Sequence, residues 1–211
     1  SASRTPRDAD GGMMAKLKQT PTAGQTVGPF YNYALMREAE NDLTAQGAAG
    51  DKIIVEGQVI DGTGEPLRDV LLEICQANEQ GRYNHPNDDS DRELDENFRG
   101  FGRALTDGEG RYRFVTIKPG AVPADGNQWQ APHIAFSIFA AGLTRRLVTR
   151  LYFPGEDANE TDPALSGIPE GDRERLIGRS VDGGTGDSGP GNTVRFDIVL
   201  QGDGETPFFV D

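Results

Sequence analysis

The chain has 211 residues and a formal net charge of −13 at pH 7, from 21 Lys and Arg against 34 Asp and Glu. This acidic balance repels phosphate backbones and anionic lipid, so neither nucleic acid nor a membrane surface is an expected partner. A single cysteine, Cys75, excludes an internal disulfide and a multi-cysteine metal cluster. The single cysteine also favours a reducing, cytoplasmic location. No segment of the sequence is long and apolar enough to predict a membrane-spanning helix.

The first fifty residues differ in pattern from the rest of the chain. Residues 1–13 have no apolar periodicity, and we expect them to be disordered or foreign to the natural chain. Residues 14–50 are predicted to form an N-terminal arm. Within it, the run from Thr20 to Phe30 mixes Pro, Gly and Thr with isolated apolar residues, which favours extended chain over helix. A solvated linker is the alternative.

Residues 51–211 are predicted to form one β domain, because apolar and polar residues alternate there. Six segments show this alternation, and they begin at Asp51, Arg68, Arg111, His133, Arg145 and Asn192. A Gly-rich turn at residues 61–64 joins the first two segments and predicts a hairpin. The sequence GDRERLIGRS, residues 171–180, is the helix candidate, and GGTGDSGPGN, residues 183–192, is expected to be a mobile loop.

Strands separated by Gly, Pro and Asp turns, with little helical pattern, predict an all-β protein built as an antiparallel β-sandwich with long loops. The chain has only two histidines, His85 and His133, so a mechanism that needs several imidazoles lacks residues. No G-x-S-x-G turn, P-loop or dinucleotide fingerprint is present, which excludes the common Ser-His-Asp and nucleotide-binding sites.

Several longer motifs occur in a fixed order. They are GRYNHPND (81–88), DENFRGFGR (95–103), TDGEGRYRFVTIKPG (106–120), APHI (131–134), LYFPGED (151–157) and VRFDIVLQGDGETPFF (194–209). Together with the Thr-Val-Gly-Pro-Phe run in the arm, they resemble the intradiol ring-cleavage dioxygenases, most closely the subunits of protocatechuate 3,4-dioxygenase. The resemblance covers residues 20–211.

The resemblance implies a ferric ion held by two tyrosines and two histidines, the histidines forming a His-x-His on one strand, where both side chains share a face. Carried over by position, Tyr83 and His133 match the first tyrosine and the first histidine. Val122 and Ala135 stand where the other two ligands are expected, and neither side chain can coordinate a metal. Gln130 stands where active subunits carry an arginine. We therefore expect a vestigial site, with no metal and no complete catalytic set in this chain.

The same pattern implies an alpha-type subunit, whose homologous beta-type partner binds the Fe(III). The complex is expected to cleave protocatechuate, or a related para-substituted catechol, with O2 in a bacterial cytoplasm. The arm residues Thr26, Gly28, Pro29 and Phe30 are predicted to form a wall of the partner's substrate pocket. Ala141 is assigned to the same wall. It replaces an arginine that protocatechuate-cleaving alpha subunits typically present to the substrate carboxylate.

Three alternatives stay open at this point. The arm could pack only on its own sandwich, or the chain could be a self-sufficient enzyme in which carboxylates such as Asp125 replace the missing ligands. A transthyretin-like β-sandwich that only binds is the third. Other residues have plain structural interpretations: a loop position for His85, packing for Trp129 and an internal ion pair for Arg150. Arg145 and Arg146 are the candidates to replace the arginine missing at Ala141.

Overall fold

The computed structural model describes residues 23–28, 30–37, 39–181 and 192–209. Its strands are β1 (Lys52–Ile60), β2 (Leu71–Cys75), β3 (Phe101–Leu105), β4 (Arg111–Ile117), β5 (Val122–Pro123), β6 (Trp129–Gln130), β7 (His133–Phe139), β8 (Leu147–Tyr152), β9 (Arg179–Val181), β10 (Thr193–Arg195) and β11 (Ile198–Val199). The α-helices are α1 (Phe30–Leu35), α2 (Pro163–Ser166) and α3 (Glu170–Arg173). Short 3₁₀ turns occupy Asp125–Asn127, Asp157–Glu160 and Glu174–Leu176. No helix among these residues is long and apolar enough to cross a membrane.

Two sheets form the body of the protein, with strand β1 at the centre of the first. Strand β4 pairs antiparallel with one edge of β1, while β10 and β11 pair parallel with successive parts of its other edge, and β9 continues from β10. The second sheet has the order β3-β2-β7-β8 and is antiparallel throughout. The predicted β-sandwich is confirmed, with the addition that its first sheet is mixed.

The inner faces of the two sheets supply the core, as the alternation of apolar residues predicts. Strand β7 shows the pattern clearly, because Ile134, Phe136 and Ile138 are fully buried in the core. The ring of Phe136 lies 5.9 Å from that of Tyr112 and 5.5 Å from that of Phe196, so aromatic side chains from both sheets meet at this point. The alternate residues of β7 face away from the core and are available for a site.

The hairpin predicted between the first two segments is wrong. Strand β1 pairs with β4, β10 and β11, whereas β2 pairs with β3 and β7, so the Gly-rich turn carries the chain from one sheet to the other. Alternation identifies which face of a strand is buried but does not identify the strand beside it. The confirmed segments are those of β1, β2, β4, β7, β8 and the pair β10 and β11.

The single helix predicted over residues 171–180 is also wrong. Those residues divide among α3, the 3₁₀ turn Glu174–Leu176 and strand β9, which pairs with β10. Sheet pairing therefore overrides local helix propensity here. In the run Thr20–Phe30, predicted to be extended, the described residues 23–28 form neither helix nor strand, and α1 begins at its last residue, Phe30. The predicted mobile loop lies outside the described residues, except Asn192.

Candidate functional site

The vestigial site predicted from the motifs lies on the outer face of the four-stranded sheet. His133 and Ala135 point away from the core at the start of β7. Across the β7–β8 ladder, His133 faces Tyr152 and Ala135 faces Arg150, while Cys75 of β2 faces Ala135 from the other side. Residues directly opposite in an antiparallel pair share one face, so these five side chains form a single patch.

Two loops bring the remaining predicted positions to this patch. Tyr83 lies in the loop after β2, where its backbone N–H donates to Asp88 Oδ2 at 2.7 Å. Arg92 holds that loop to the next one, because its Nη1 donates to the carbonyl oxygens of Gly81 at 2.8 Å and Ala121 at 2.7 Å. The Arg92 guanidinium also lies 4.5 Å from the centre of the Trp129 ring, which is half exposed rather than packed in the core.

Val122 occupies its predicted position on the short hairpin formed by β5 and β6. It is buried and pairs with Gln130 across the hairpin. The Gln130 side chain reaches the patch, since its Oε1 accepts a hydrogen bond of 2.6 Å from Nη1 of Arg150. All four positions assigned to iron ligands are therefore held on or beside one patch by the fold.

His133 is a buried, neutral histidine. It is 4% exposed, and its Nδ1 donates to the carbonyl oxygen of Ala131 at 2.8 Å, which fixes the proton on that nitrogen. Burial, helped by the nearby charge of Arg150, lowers the pKa of His133 to about 4. Near neutral pH the imidazole therefore carries no charge.

The two tyrosines of the patch are neutral phenols. Burial raises the pKa of Tyr83 to about 12, and only the charge of Arg150 opposes the shift. Burial also raises the pKa of Tyr152, whose hydroxyl donates to Asp162 Oδ1 at 3.1 Å. A tyrosine that binds a ferric ion must lose this proton, and nothing in the patch other than Arg150 favours the loss.

These residues do not fit a four-ligand ferric site. Val122 and Ala135 offer no donor atom, and within the described ranges no group of three or more His, Cys, Asp or Glu is placed to hold a metal ion. Asp125, the candidate substitute, is exposed at the tip of the β5–β6 hairpin. The self-sufficient alternative therefore has no support from the geometry.

Asp162 is a buried residue beside the patch that the sequence reasoning missed. Its buried carboxylate accepts hydrogen bonds from the backbone N–H groups of Ala131 at 2.8 Å, Ala164 at 2.8 Å and Leu165 at 2.7 Å, besides the Tyr152 hydroxyl. The sequence signal for it was the Asp-Pro pair, since Asp at the N-cap followed by Pro begins a helix. These hydrogen bonds fix the carboxylate at the start of α2 and account for its burial.

The ion pair predicted for Arg150 is wrong. Its guanidinium forms no salt bridge with a carboxylate in the described part of the chain, and it donates instead to Gln130 at 2.6 Å and to the Tyr152 hydroxyl at 3.5 Å. The side chain also lies over the Phe209 ring at 5.4 Å. His85 matches its prediction, because it is exposed and its Nδ1 accepts from the Asn87 N–H at 3.1 Å.

The arm lies at the other end of the same sheet face. Thr26 Oγ1 accepts from the Gly142 N–H at 2.7 Å and donates to the Ala140 carbonyl at 3.4 Å, so it is bound to the turn that contains Ala141. Two residues predicted to share a pocket wall are thus brought together. His133 and Phe139 mark the two ends of β7, roughly 20 Å apart at about 3.4 Å per residue. Of the described arm residues, Thr26 and Tyr31 therefore lie at the far end of β7 from this chain's own patch.

The residues that follow Thr26 are open to solvent. Gly28 is exposed, and an added Cβ would meet no atom within 4 Å. Phe30 is 81% exposed and Tyr33 is 90% exposed, whereas the ring of Tyr31 lies 5.7 Å from that of Phe139 and anchors α1. Pro29 lies outside the described residues.

A small cavity of about 220 Å³ separates the arm from the β7–β8 turn. It is lined by Gln25, Val27, Tyr31, Phe139, Ala140, Leu143, Arg145 and Arg146. Both candidate arginines therefore line one cavity beside Thr26 and Ala141, although nothing in the described contacts assigns either of them to a substrate.

Comparison with known proteins agrees with the fold. A family model described as Dioxygenase matches residues 27–202. A protocatechuate 3,4-dioxygenase beta chain from Burkholderia cepacia is 45% identical over 187 residues, which cover 85% of this chain and 79% of that protein. An alpha chain of the same enzyme from Pseudomonas putida is 39% identical over 208 residues, which cover 92% of this chain and 96% of that protein.

Among solved structures, the dioxygenase domain of a dioxygenase carbohydrate-binding fusion from Streptomyces sp. SirexAA-E superimposes with a TM-score of 0.58 and 28% identity, covering 87% of this chain and 99% of that one. The β-sandwich and these matches thus define a dioxygenase-type protein. The chain belongs to the intradiol dioxygenase family. Membership of this family does not favour the alternative of a transthyretin-like β-sandwich that only binds.

Proposed function

We propose that this chain is the alpha-type subunit of a heteromeric, Fe(III)-dependent intradiol dioxygenase. Its homologous beta-type partner binds the iron, and the complex cleaves protocatechuate or a related para-substituted catechol between its two hydroxyls with O2. One observation carries the proposal: a chain with the complete family fold has Val122 and Ala135 at two ligand positions and an arginine facing one of them. We place the complex in a bacterial cytoplasm.

The identity of 45% to a beta chain, against 39% to an alpha chain, does not oppose this assignment. Identity over the whole chain measures common descent, whereas metal binding depends on four positions. Two of those positions are apolar here, and an alanine or valine side chain cannot be a ligand in any subunit. The loss of donor atoms therefore supports the alpha-type role.

The surface at the arm supports a role in the partner's substrate pocket. Thr26 and Ala141 form one exposed surface, and Phe30 extends from it with most of its ring in solvent. An exposed aromatic ring beside a flexible glycine is suited to contact an aromatic substrate or the rim of a neighbouring pocket. In this role the chain supplies shape and ring contact, while the bond-breaking chemistry belongs to the partner.

Metal analysis tests the proposal directly. Purified alone, the chain is expected to fold, to contain far less than one iron per chain and to cleave no catechol. Co-expression with a homologous chain that has the full tyrosine and His-x-His set should give a coloured ferric complex with ring-cleaving activity. One tightly bound iron per isolated chain, with turnover of a catechol, would contradict the proposal.

Substitutions in the arm test its place in the complex. We expect Gly28→Trp to raise KM or lower kcat by about tenfold, which corresponds to ~1.4 kcal/mol, while the complex stays assembled and iron-loaded. The reason is that a side chain at Gly28 has open space within its own chain, so crowding would come only from the partner.

The matched control is Gly108→Trp, because Gly108 is also exposed and also has no atom within 4 Å of an added Cβ. It lies in the turn before β4, away from the arm. Steady-state kinetics on the purified complexes give the readout. Unchanged kinetics for the Gly28 variant would place the arm outside the substrate pocket.

A further inference from the structure

We propose that the guanidinium of Arg150 takes the place of a metal ion in this chain. It is a covalently fixed cation that holds the vestigial patch together and keeps a metal cation out of it. The proposal goes beyond the missing ligands: it states that restoring those ligands would not by itself restore an iron site.

The position of Arg150 is the first argument. It lies on the outer face of β8 directly opposite Ala135, the place where the second histidine ligand is expected. Side chains opposite each other in an antiparallel pair have Cβ atoms about 4.5–5.5 Å apart. The alanine methyl occupies little of the space above β7, so the long arginine side chain can extend over the patch.

The contacts of Arg150 are the second argument. Its Nη1 donates to Oε1 of Gln130 at 2.6 Å, and Gln130 pairs with Val122, so the guanidinium is bound to the hairpin that carries another ligand position. The same nitrogen lies 3.5 Å from the Tyr152 hydroxyl, which donates onward to Asp162. One cation thus joins β8, the β5–β6 hairpin and the buried carboxylate that caps α2.

The electrostatic effect of Arg150 on the neighbouring side chains is the third argument. The positive charge of Arg150 contributes to the pKa of Tyr83, of His133 and of Tyr152, and in both tyrosines it lowers the pKa against the effect of burial. The strand geometry agrees, because Arg150 lies diagonally across the β7–β8 ladder from His133, two residues along from the His133–Tyr152 pair. A bound metal cation would act on the same groups from the same region with the same sign.

The positive charge of Arg150 explains why a metal cation would be excluded. Arg150 forms no salt bridge within the described ranges, and the nearby carboxylate of Asp162 is engaged by three backbone N–H groups and a hydroxyl. An entering ferric ion would meet the positive charge of the guanidinium in a partly buried site, where screening by solvent is weak. Charge repulsion adds to the lack of donor atoms.

The test restores the ligands with and without the guanidinium, using the full chain without a partner. The variants are V122Y/A135H, V122Y/A135H/R150Q, V122Y/A135H/R150K and R150Q. Glutamine keeps a hydrogen-bond donor for Gln130 but removes the charge, whereas lysine keeps the charge. Each protein is incubated with ferric citrate and desalted, and the iron per chain and the visible tyrosinate-to-iron absorption are measured.

We expect V122Y/A135H/R150Q to retain at least tenfold more iron per chain than V122Y/A135H and to become coloured. The R150K triple variant and R150Q alone should stay low in iron and colourless. Equal iron in V122Y/A135H and in the R150Q triple variant would overturn the proposal. So would a folded R150Q triple variant that takes up no iron, or an R150K triple variant that takes up as much as the R150Q one.

Two variants with fewer substitutions provide the test if the triple variants do not fold. A135H and A135H/R150Q each change fewer buried groups, and their affinity for Fe(III) is measured by competition with citrate. Affinity at least tenfold higher without the guanidinium supports the proposal, and equal affinity overturns it. Because no partner chain is present, either result is independent of the proposed role in a hetero-oligomer.

Discussion

Replacing Ala141 by Arg is expected to shift the substrate preference of the assembled complex toward protocatechuate. Relative to catechol, kcat/KM for protocatechuate should rise by about 30-fold or more, equivalent to ~2 kcal/mol, the lower end of what a buried charged hydrogen-bonded partner contributes. A guanidinium binds a carboxylate through two parallel, charge-assisted hydrogen bonds, and alanine offers neither a donor nor a charge. The measurement is the ratio of kcat/KM values for protocatechuate, catechol and 4-sulfocatechol.

The position of Ala141 makes this substitution informative. Ala141 is exposed in the turn whose neighbouring Gly142 N–H binds Thr26, so a new side chain there extends beside the arm without entering the core. Ala45→Arg, at an exposed alanine elsewhere, is the matched control and should leave the ratio unchanged.

The cavity beside the arm provides the competing explanation. Arg145 and Arg146 line it, four and five residues after Ala141. If protocatechuate is already strongly preferred and Ala141→Arg changes nothing, the acid group is recognised elsewhere. Arg145→Ala then distinguishes recognition by this chain, which lowers the ratio, from recognition by the partner, which leaves it unchanged.

Most of the longer strands were predictable from the sequence, but the strands that pair with them were not. The alternation in β4 and β7 depends only on which residues are buried, and both strands fall where the pattern places them. Strand β3 was missed because Gly102 interrupts its pattern. An added Cβ there would lie 2.5 Å from Leu43 Cδ1 and 2.7 Å from the Glu40 carbonyl, so the glycine admits the incoming arm segment. Such long-range packing leaves no local signal.

The candidate site was predictable where single positions decide the chemistry. Tyr83, Val122, His133 and Ala135 could be assigned from motifs, because a side chain either has a donor atom or lacks one. The role of Arg150 could not, since it depends on how the β5–β6 hairpin presents Gln130 from 20 residues away. The roles of Thr26, Gly28, Pro29, Phe30 and Ala141 as a pocket wall stay predictions, because they concern a partner chain.

Acidification should destabilise the isolated chain through His133. Its pKa is lowered to about 4 in the folded protein, against 6.5 for an exposed imidazole. Between these two values the unfolded chain binds a proton that the folded chain does not, so folding is favoured less as the pH falls. The contribution is constant above about pH 6.5, is lost progressively below it, and levels off near pH 4. A difference of about 2.5 pKa units amounts to ~3 kcal/mol.

His133→Gln should remove this part of the pH dependence. Carboxylates also titrate in this range, but they do so alike in both proteins, so the difference between wild type and variant isolates the imidazole. Urea unfolding at several pH values from 7 down to 4 should show the wild type losing about 3 kcal/mol more than the variant. The control is His85→Gln, because His85 is exposed on its loop and its replacement should leave the wild-type pH dependence in place. Parallel curves for wild type and His133→Gln would mean that the imidazole has the same pKa in the folded and unfolded chains, and that Arg150 and the surrounding burial do not hold it neutral.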